Sequence, residues 1–110
     1  MALVPFHNIR GATARNNELI AVNDLTKSKI SSIQIANVDD SAAATVDVYL
    51  FKGSTDTTVS ESYYLIKNLQ IPFASSFMLE YPKLLSFDTT TYSLYIYVGS
   101  SDEVDVTIGI

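Results

Sequence analysis

The groups that could carry out chemistry are few in this chain. Its only histidine is His7, it has no cysteine, and its four glycines stand apart at positions 11, 53, 99 and 109. Nucleophilic catalysis needs an imidazole held beside a hydroxyl or a thiol, and His7 lies where the sequence pattern is least regular. Isolated glycines do not form a phosphate-binding loop. We therefore expect no enzyme activity, no catalytic residue and no cofactor.

Carboxylates are the remaining groups that could react or bind a metal ion. Asp39 and Asp40 are adjacent, and Asp102, Glu103 and Asp105 stand close together. Loop carboxylates could bind Ca²⁺, although neither run has the spacing of an EF-hand. Two acids across a cleft could also serve a small carboxylate hydrolase, which is the weakest alternative that we consider. The simpler interpretation is that these acids form turns and keep the surface hydrated, so we expect no metal site.

The elements that must position these groups are β-strands, because apolar and polar residues alternate along most of the chain. Alternation is clearest in residues 44–52, 92–98 and 103–110, and weaker in residues 18–22, 31–38, 62–71 and 75–80. Segments rich in turn-forming residues separate them, and we place residues 81–90 among these breaks. Seven or eight short strands predict an all-β fold, an antiparallel two-layer β-sandwich with the jelly roll as one form of it.

Charge and hydropathy narrow the kinds of partner. The formal net charge is −5 and the sequence pI is about 4.5. Binding to nucleic acid relies on clustered Lys and Arg, so we expect none. No apolar run reaches 18 residues, and the first ten residues lack both a basic segment and a long apolar one. We therefore expect neither a membrane span nor a signal peptide.

Residues 1–17 differ from the rest of the chain. Pro5, Gly11 and a polar run at 13–17 interrupt any long strand, which favours an N-terminal arm or a first edge segment attached to a β-sandwich domain at 18–110. An arm needs a surface to cover with its apolar residues. The candidate anchoring residues are Leu3, Phe6, Ile9, Arg10 and Arg15.

Tyrosine is placed unusually in the alternating segments. Tyr49 and Phe51 lie opposite the aliphatic row of one predicted strand, and Tyr95 and Tyr97 do so in another. Tyr63 and its neighbour Tyr64 must point to opposite faces. Strand propensity and cross-strand pairing alone could explain such tyrosines. A surface that is covered by a second copy or by a sugar explains them equally well, because tyrosine tolerates both water and burial. The candidate interface residues are Tyr49, Phe51, Tyr63, Tyr95 and Tyr97.

The segment EVDVTIGI at residues 103–110 raises the question of its place in a sheet. An edge position would offer its backbone to a neighbouring chain. Val104, Val106, Ile108 and Ile110 form a regular apolar row, so we expect a central strand instead.

Three segments resemble small virion proteins of tailed phages, especially those of marine T4-like cyanophages. They are SSIQIANVDDSAAATVDVYLF, SESYYLIKNLQIPFASSFMLE and LLSFDTTTYSLYIYVGSSDEVDVTIGI, within residues 31–110. The resemblance implies a virion location, after assembly in the host cytoplasm, as head decoration, neck or fibre-associated subunit. It also implies copies of the chain and other virion proteins as partners, and it carries no catalytic residue.

Our leading hypothesis is thus a virion structural protein that forms a homo-oligomer or docks on other virion proteins through sheet edges and aromatic patches. The alternative is a carbohydrate-binding attachment module in which tyrosines stack on sugar rings and loop acids hold Ca²⁺.

Overall fold

The computed structural model describes residues 3–22, 24, 29–39, 41–53, 60–86 and 90–110, and at 53, 60, 61 and 81–86 it describes the backbone alone. These residues form strands and connecting segments, without a helix. The eight strands are β1 (Leu3–Arg10), β2 (Asn16–Ile20), β3 (Lys29–Asn37), β4 (Ala44–Gly53), β5 (Ser60–Ile71), β6 (Ser76–Ser86), β7 (Ser93–Val98) and β8 (Glu103–Gly109).

The strands form two antiparallel sheets of four strands each. The first sheet has the order β1-β8-β3-β6, and the second has the order β2-β7-β4-β5. The predicted all-β sandwich is therefore confirmed. Strand β1 pairs with β8, β2 with β7, β3 with β6 and β4 with β5. This nested pairing of first with last strands is the order of a jelly roll.

The core lies between the sheets and is built from the inward aliphatic residues of every second position. Val46 and Val48 of β4 are fully buried, and so are Leu94, Ile96 and Val98 of β7. Each such side chain contributes about 1.5–3 kcal/mol by leaving water. The prediction that the last strand is central is confirmed, because β8 lies between β1 and β3 with Val104, Val106 and Ile108 buried.

The structure differs from the sequence-based expectation in part. Of the two alternatives for residues 1–17, the described residues correspond to the edge segment, because residues 3–10 form β1, an edge strand paired with β8, and Val4, Phe6 and Ile9 pack against the core. The predicted boundary between residues 17 and 18 falls inside β2. Residues 81–86, expected in a break, continue β6. Each of these strands contains a proline, Pro5 in β1 and Pro82 in β6, and a proline in a sequence argues against a strand. Both strands lie at sheet edges, where proline is tolerated.

The two sheets carry the same irregularity at their edges. In β1, Phe6 and Ile9 oppose Val106 and Val104 of β8, so one residue of β1 is extra. That bulge contains Asn8 at φ 58°. In β5, Ile66 and Leu69 oppose Val48 and Val46 of β4, and the bulge contains Asn68 at φ 54°. Asparagine is one of the few residues that adopt this backbone conformation readily.

An aspartate satisfies the backbone of each bulge. Asn8 donates its N–H to Asp105 Oδ1 at 2.6 Å, and Asn68 donates its N–H to Asp47 Oδ1 at 2.6 Å. Both acids are the centre of a Val-Asp-Val triplet, at 46–48 and 104–106. The two sheets are therefore related by an approximate two-fold symmetry that exchanges β1 with β5, β8 with β4, β3 with β7 and β6 with β2.

Candidate functional site

The outer surface of the second sheet carries a cluster of aromatic rings. We call it the tyrosine face and define it by Tyr49 and Phe51 of β4, Tyr64 of β5, and Tyr95 and Tyr97 of β7. Strands β4 and β7 are central in this sheet, so their outward side chains lie in the middle of the surface. Four of these residues were candidates from the sequence. The rings of Tyr49, Phe51 and Tyr95 are in contact, and Tyr97 lies two residues from Tyr95 in β7, opposite Asp47.

Tyr49 is the centre of the cluster. Its ring lies 5.7 Å from that of Tyr95 in a stacked arrangement and 5.4 Å from that of Tyr64, tilted by 47°. Phe51 meets Tyr95 edge-on at 5.6 Å. Tyr49 is only 8% exposed, although it points away from the core, whereas Tyr64 is 49% exposed. The neighbouring rings therefore cover Tyr49, and Tyr64 presents the most accessible aromatic surface of the four.

Strand β2 holds two of the tyrosine hydroxyls in place. The Tyr49 hydroxyl donates to Asn16 Oδ1 at 2.7 Å, and the Tyr95 hydroxyl donates to Glu18 Oε2 at 3.3 Å. Burial raises the pKa of Tyr49 above its ordinary value of 10.0, and nearby tyrosines and Asp47 raise it further. Burial also raises the pKa of Tyr95, with Glu18 as the next cause. These rings are therefore neutral hydrogen-bond donors held in fixed positions.

A buried acid and a lysine border the cluster. The Asp47 side chain is 8% exposed and accepts from Lys67 Nζ at 3.2 Å as well as from Asn68. Lys67 Nζ also lies 4.3 Å from the centre of the Tyr64 ring, which is a cation–π distance. The hydrogen bond to Asp47 is the main cause that raises the pKa of Lys67. Lys67 thus connects Tyr64 of the tyrosine face to Asp47, the residue that binds the bulge of β5.

Tyr63 does not belong to the tyrosine face. It pairs with Leu50 on the opposite side of β5, and its ring meets that of Tyr92 at 5.8 Å. Tyr64 takes the place that we had given to Tyr63. The reason is a second bulge in β5, between the pairs Val48–Ile66 and Tyr49–Tyr64, which shifts the alternation by one residue.

The predicted arm residues are spread along an edge of the molecule. Phe6 and Ile9 pack against the core, and Leu3 is 65% exposed at the start of β1. Arg10 forms an ion pair with Glu103 of β8. The backbone carbonyl of Arg15 accepts a hydrogen bond from Val98. The anchoring role of these residues stays a prediction.

The acids that could hold Ca²⁺ serve the backbone or ion pairs instead. Asp102 Oδ2 accepts the N–H of Thr45 at 3.0 Å, Glu103 pairs with Arg10, and Asp105 accepts from Asn8. Asp39 accepts from Ser41, whose backbone N–H is the main cause that lowers the pKa of Asp39. Asp40 lies outside the described residues. Among the described side chains, no three His, Asp or Glu residues are grouped so that they could bind a metal ion.

The outer surface of the first sheet has a different character. It carries a groove with a volume of about 500 Å³, which crosses the sheet. We call it the serine groove and define it by its lining residues, Leu3, Ser31, Ser32, Gln34, Met78, Glu80 and Thr107. No sequence pattern predicted this groove, because its residues come from all four strands and meet only through their register.

Comparisons with known proteins do not assign a family. No protein-family model and no curated protein matches this sequence. Within the described part of the chain, no helix has the length and apolar character needed to cross a membrane.

Proposed function

We propose that this chain is a structural subunit of a virion, which acts by packing its tyrosine face against a protein surface, in the first place that of another copy. The observation that carries the proposal is the cluster itself. Five aromatic side chains lie on one outer sheet surface, four of them on its two central strands and Tyr64 on the neighbouring edge strand. Aromatic residues are enriched in the buried centres of protein interfaces.

The internal bonding of the cluster favours a protein partner over a sugar. A sugar ring stacks on an accessible aromatic face and hydrogen-bonds to polar groups beside it. Tyr49 is covered by its neighbours, and Asn16 and Glu18 already accept from tyrosine hydroxyls. A fixed, partly covered aromatic surface with Tyr64 at its margin suits side-chain packing, since ordering it costs little entropy on binding.

The resemblance to small phage virion proteins supports the same role and adds the particle as its location. A flat β-sandwich with broad outer surfaces fits static association, which requires area and shape and no reactive group.

Solution mass tests the proposal. Light scattering at concentrations up to about 0.5 mM detects association with a micromolar dissociation constant. We expect the wild-type chain to exceed 12.1 kDa, and we expect Tyr64→Ser to weaken association by about tenfold or more, because Tyr64 is the most exposed ring of the tyrosine face and aromatic residues contribute strongly to interfaces.

Tyr63→Ser is the matched control, because Tyr63 is 48% exposed on the other side of the same strand. Circular dichroism confirms that both variants keep the β fold. A monomeric wild-type chain that also binds glycans on an array would replace the proposal with the carbohydrate-binding alternative. If the two substitutions weaken association equally, the tyrosine face is not the surface through which the copies associate.

A further inference from the structure

The tyrosine face and the serine groove occupy equivalent positions in the two sheets. The two Val-Asp-Val triplets set the correspondence, with Asp47 equivalent to Asp105. Two residues further on, Tyr49 of β4 corresponds to Thr107 of β8. Tyr49 pairs with Tyr95, and Thr107 pairs with Gln34. Where the second sheet has two stacked tyrosine rings, the first sheet therefore has a threonine and a glutamine.

The same comparison explains the shape of the groove. Phe51 corresponds to Gly109, which has no side chain. Phe51 lines both of two small hollows in the second sheet, of about 280 and 200 Å³. Without such a ring the equivalent region of the first sheet is one groove of about 500 Å³. A ring thus divides the outer surface of the second sheet at the position where the first sheet has a glycine and a single larger groove.

The edges of both sheets are poor sites for adding a strand. Strand β2 has only five residues, and β1 contains Pro5 and the Asn8 bulge. Strand β5 contains two bulges, and β6 contains Pro82. Short strands, prolines and bulges are the devices by which sheets avoid edge-to-edge pairing. Of the two kinds of contact that we expected from the sequence, sheet edges and aromatic patches, these edge strands favour the outer surfaces.

The outer surfaces are large enough for a stable contact. The molecule measures 40 × 35 × 20 Å, so each broad surface spans about 40 by 35 Å. A standard interface buries about 800 Å² on each partner, which is less than one such surface. The groove lining combines apolar side chains that can pack against aromatic rings, Leu3 and Met78, with serine, threonine, glutamine and Glu80 side chains that can hydrogen-bond to tyrosine hydroxyls.

From these observations we infer that copies of this chain associate head to tail, with the tyrosine face of one copy seated in the serine groove of the next. The inference rests on the proposed function and names the partner surface for it. Such a contact joins two different surfaces, so it generates a closed ring or an open filament instead of a two-fold dimer.

Two variants test the inference, each altered on one surface. The face variant is Tyr64→Ser with Phe51→Thr. The groove variant is Gln34→Glu with Thr107→Lys, which places a longer, positively charged side chain in the groove and a negative charge opposite it. Because Gln34 and Thr107 pair across β3 and β8, the new opposite charges support the sheet. The control is Ala12→Glu with Thr13→Lys, the same charges in the exposed segment after Gly11.

We expect each variant alone to associate about tenfold or more weakly than the wild-type chain, while the control associates as the wild type does. An equimolar mixture of the two variants should form a dimer with one chain of each and should stop there. The face variant retains its groove and the groove variant retains its tyrosine face, so one intact contact remains. Native mass spectrometry of chains labelled with different isotopes identifies this dimer.

The possible outcomes separate the two proposals. If the groove variant assembles like the wild type, tyrosine faces meet each other or another surface, and the head-to-tail contact is wrong while the proposed function stands. If the mixture shows no mixed dimer although both variants are folded, the contact is also wrong. A wild-type chain that is monomeric up to about 0.5 mM overturns self-association altogether.

Discussion

Asp47 Oδ1 accepts the backbone N–H of Asn68 at 2.6 Å, from a strand that has one residue more than its neighbour at that point. The carboxylate therefore stabilises a bulge whose N–H has no partner in the regular ladder. The same relationship between Asp105 and Asn8 marks the other sheet. These two contacts hold the edge strands in register and support the surfaces on which our proposals depend.

Replacing Asp47 should be costly for stability. In Asp47→Ala the Asn68 N–H loses a charged acceptor whose side chain is 8% exposed, and Lys67 loses its ion pair, so we expect about 2–3 kcal/mol less free energy of unfolding in urea denaturation. Asp105→Ala should cost less, about 1 kcal/mol, because the Asp105 side chain is 38% exposed and water can replace it. Equal losses would show that burial does not set the strength of these contacts.

Gly11 should tolerate no side chain. A Cβ atom there would lie 1.7 Å from the carbonyl oxygen of Gly99, so the β1–β2 and β7–β8 connections would have to separate. That separation also strains the hydrogen bond from the Gly11 N–H to the Asp102 carbonyl. We expect Gly11→Ala to lower the free energy of unfolding by about 3 kcal/mol. The exposed neighbour Ala12→Ser is the control, and a thermal midpoint that is equal for the two variants would contradict the prediction.

Deletion of residues 104–110 should abolish soluble expression. Strand β8 pairs with β1 on one side and β3 on the other, and its loss removes three fully buried aliphatic side chains. Burial of each side chain contributes about 1.5–3 kcal/mol. The sum of the three is comparable to the whole free energy of unfolding of a small domain. A soluble truncated chain with the circular dichroism of the full one would be the contrary result.

Stability should fall in alkaline solution as Tyr49 and Tyr95 ionise. The pKa of Tyr49 and that of Tyr95 are raised in the folded protein, mainly by burial. Above pH about 10 the unfolded chain therefore loses these protons before the folded chain does, and the free energy of unfolding decreases as pH rises. Below that pH the contribution is fully present.

Urea denaturation at pH 8 and pH 10.5 measures this decrease. Tyr49→Phe with Tyr95→Phe should reduce it, because phenylalanine has no proton to lose. A decrease of the same size in the variant would assign the alkaline sensitivity to other groups.

Much of the fold followed from alternation, and the misses have physical causes. Strands β4, β7 and β8 alternate without interruption, so their inward residues were predicted correctly. Strands β1 and β6 were missed as continuous strands because each contains a proline, and the Asn8 bulge shifts the pattern of β1 by one residue. Such a shift has no signature in a sequence read residue by residue.

The candidate site was predicted in part for a related reason. Tyr49, Phe51, Tyr95 and Tyr97 follow directly from alternation in β4 and β7. The choice between Tyr63 and Tyr64 depends on a bulge in β5, and the sequence favours neither. The serine groove depends on the register of four strands, which no local pattern contains.

The pairing of Leu3 with Gly109 places both ends of the described chain at one corner of the first sheet. Leu3 also lines the serine groove. A purification tag or a fluorescent protein fused at either end will therefore stand beside the groove and compete with any neighbour for it. The turn at residues 99–102, which connects the two sheets, is also unsuitable for inserting a tag, because hydrogen bonds join it to Gly11 and Thr45. Assembly is best followed on untagged chains, labelled through a cysteine introduced on the exposed segment at residues 12–14.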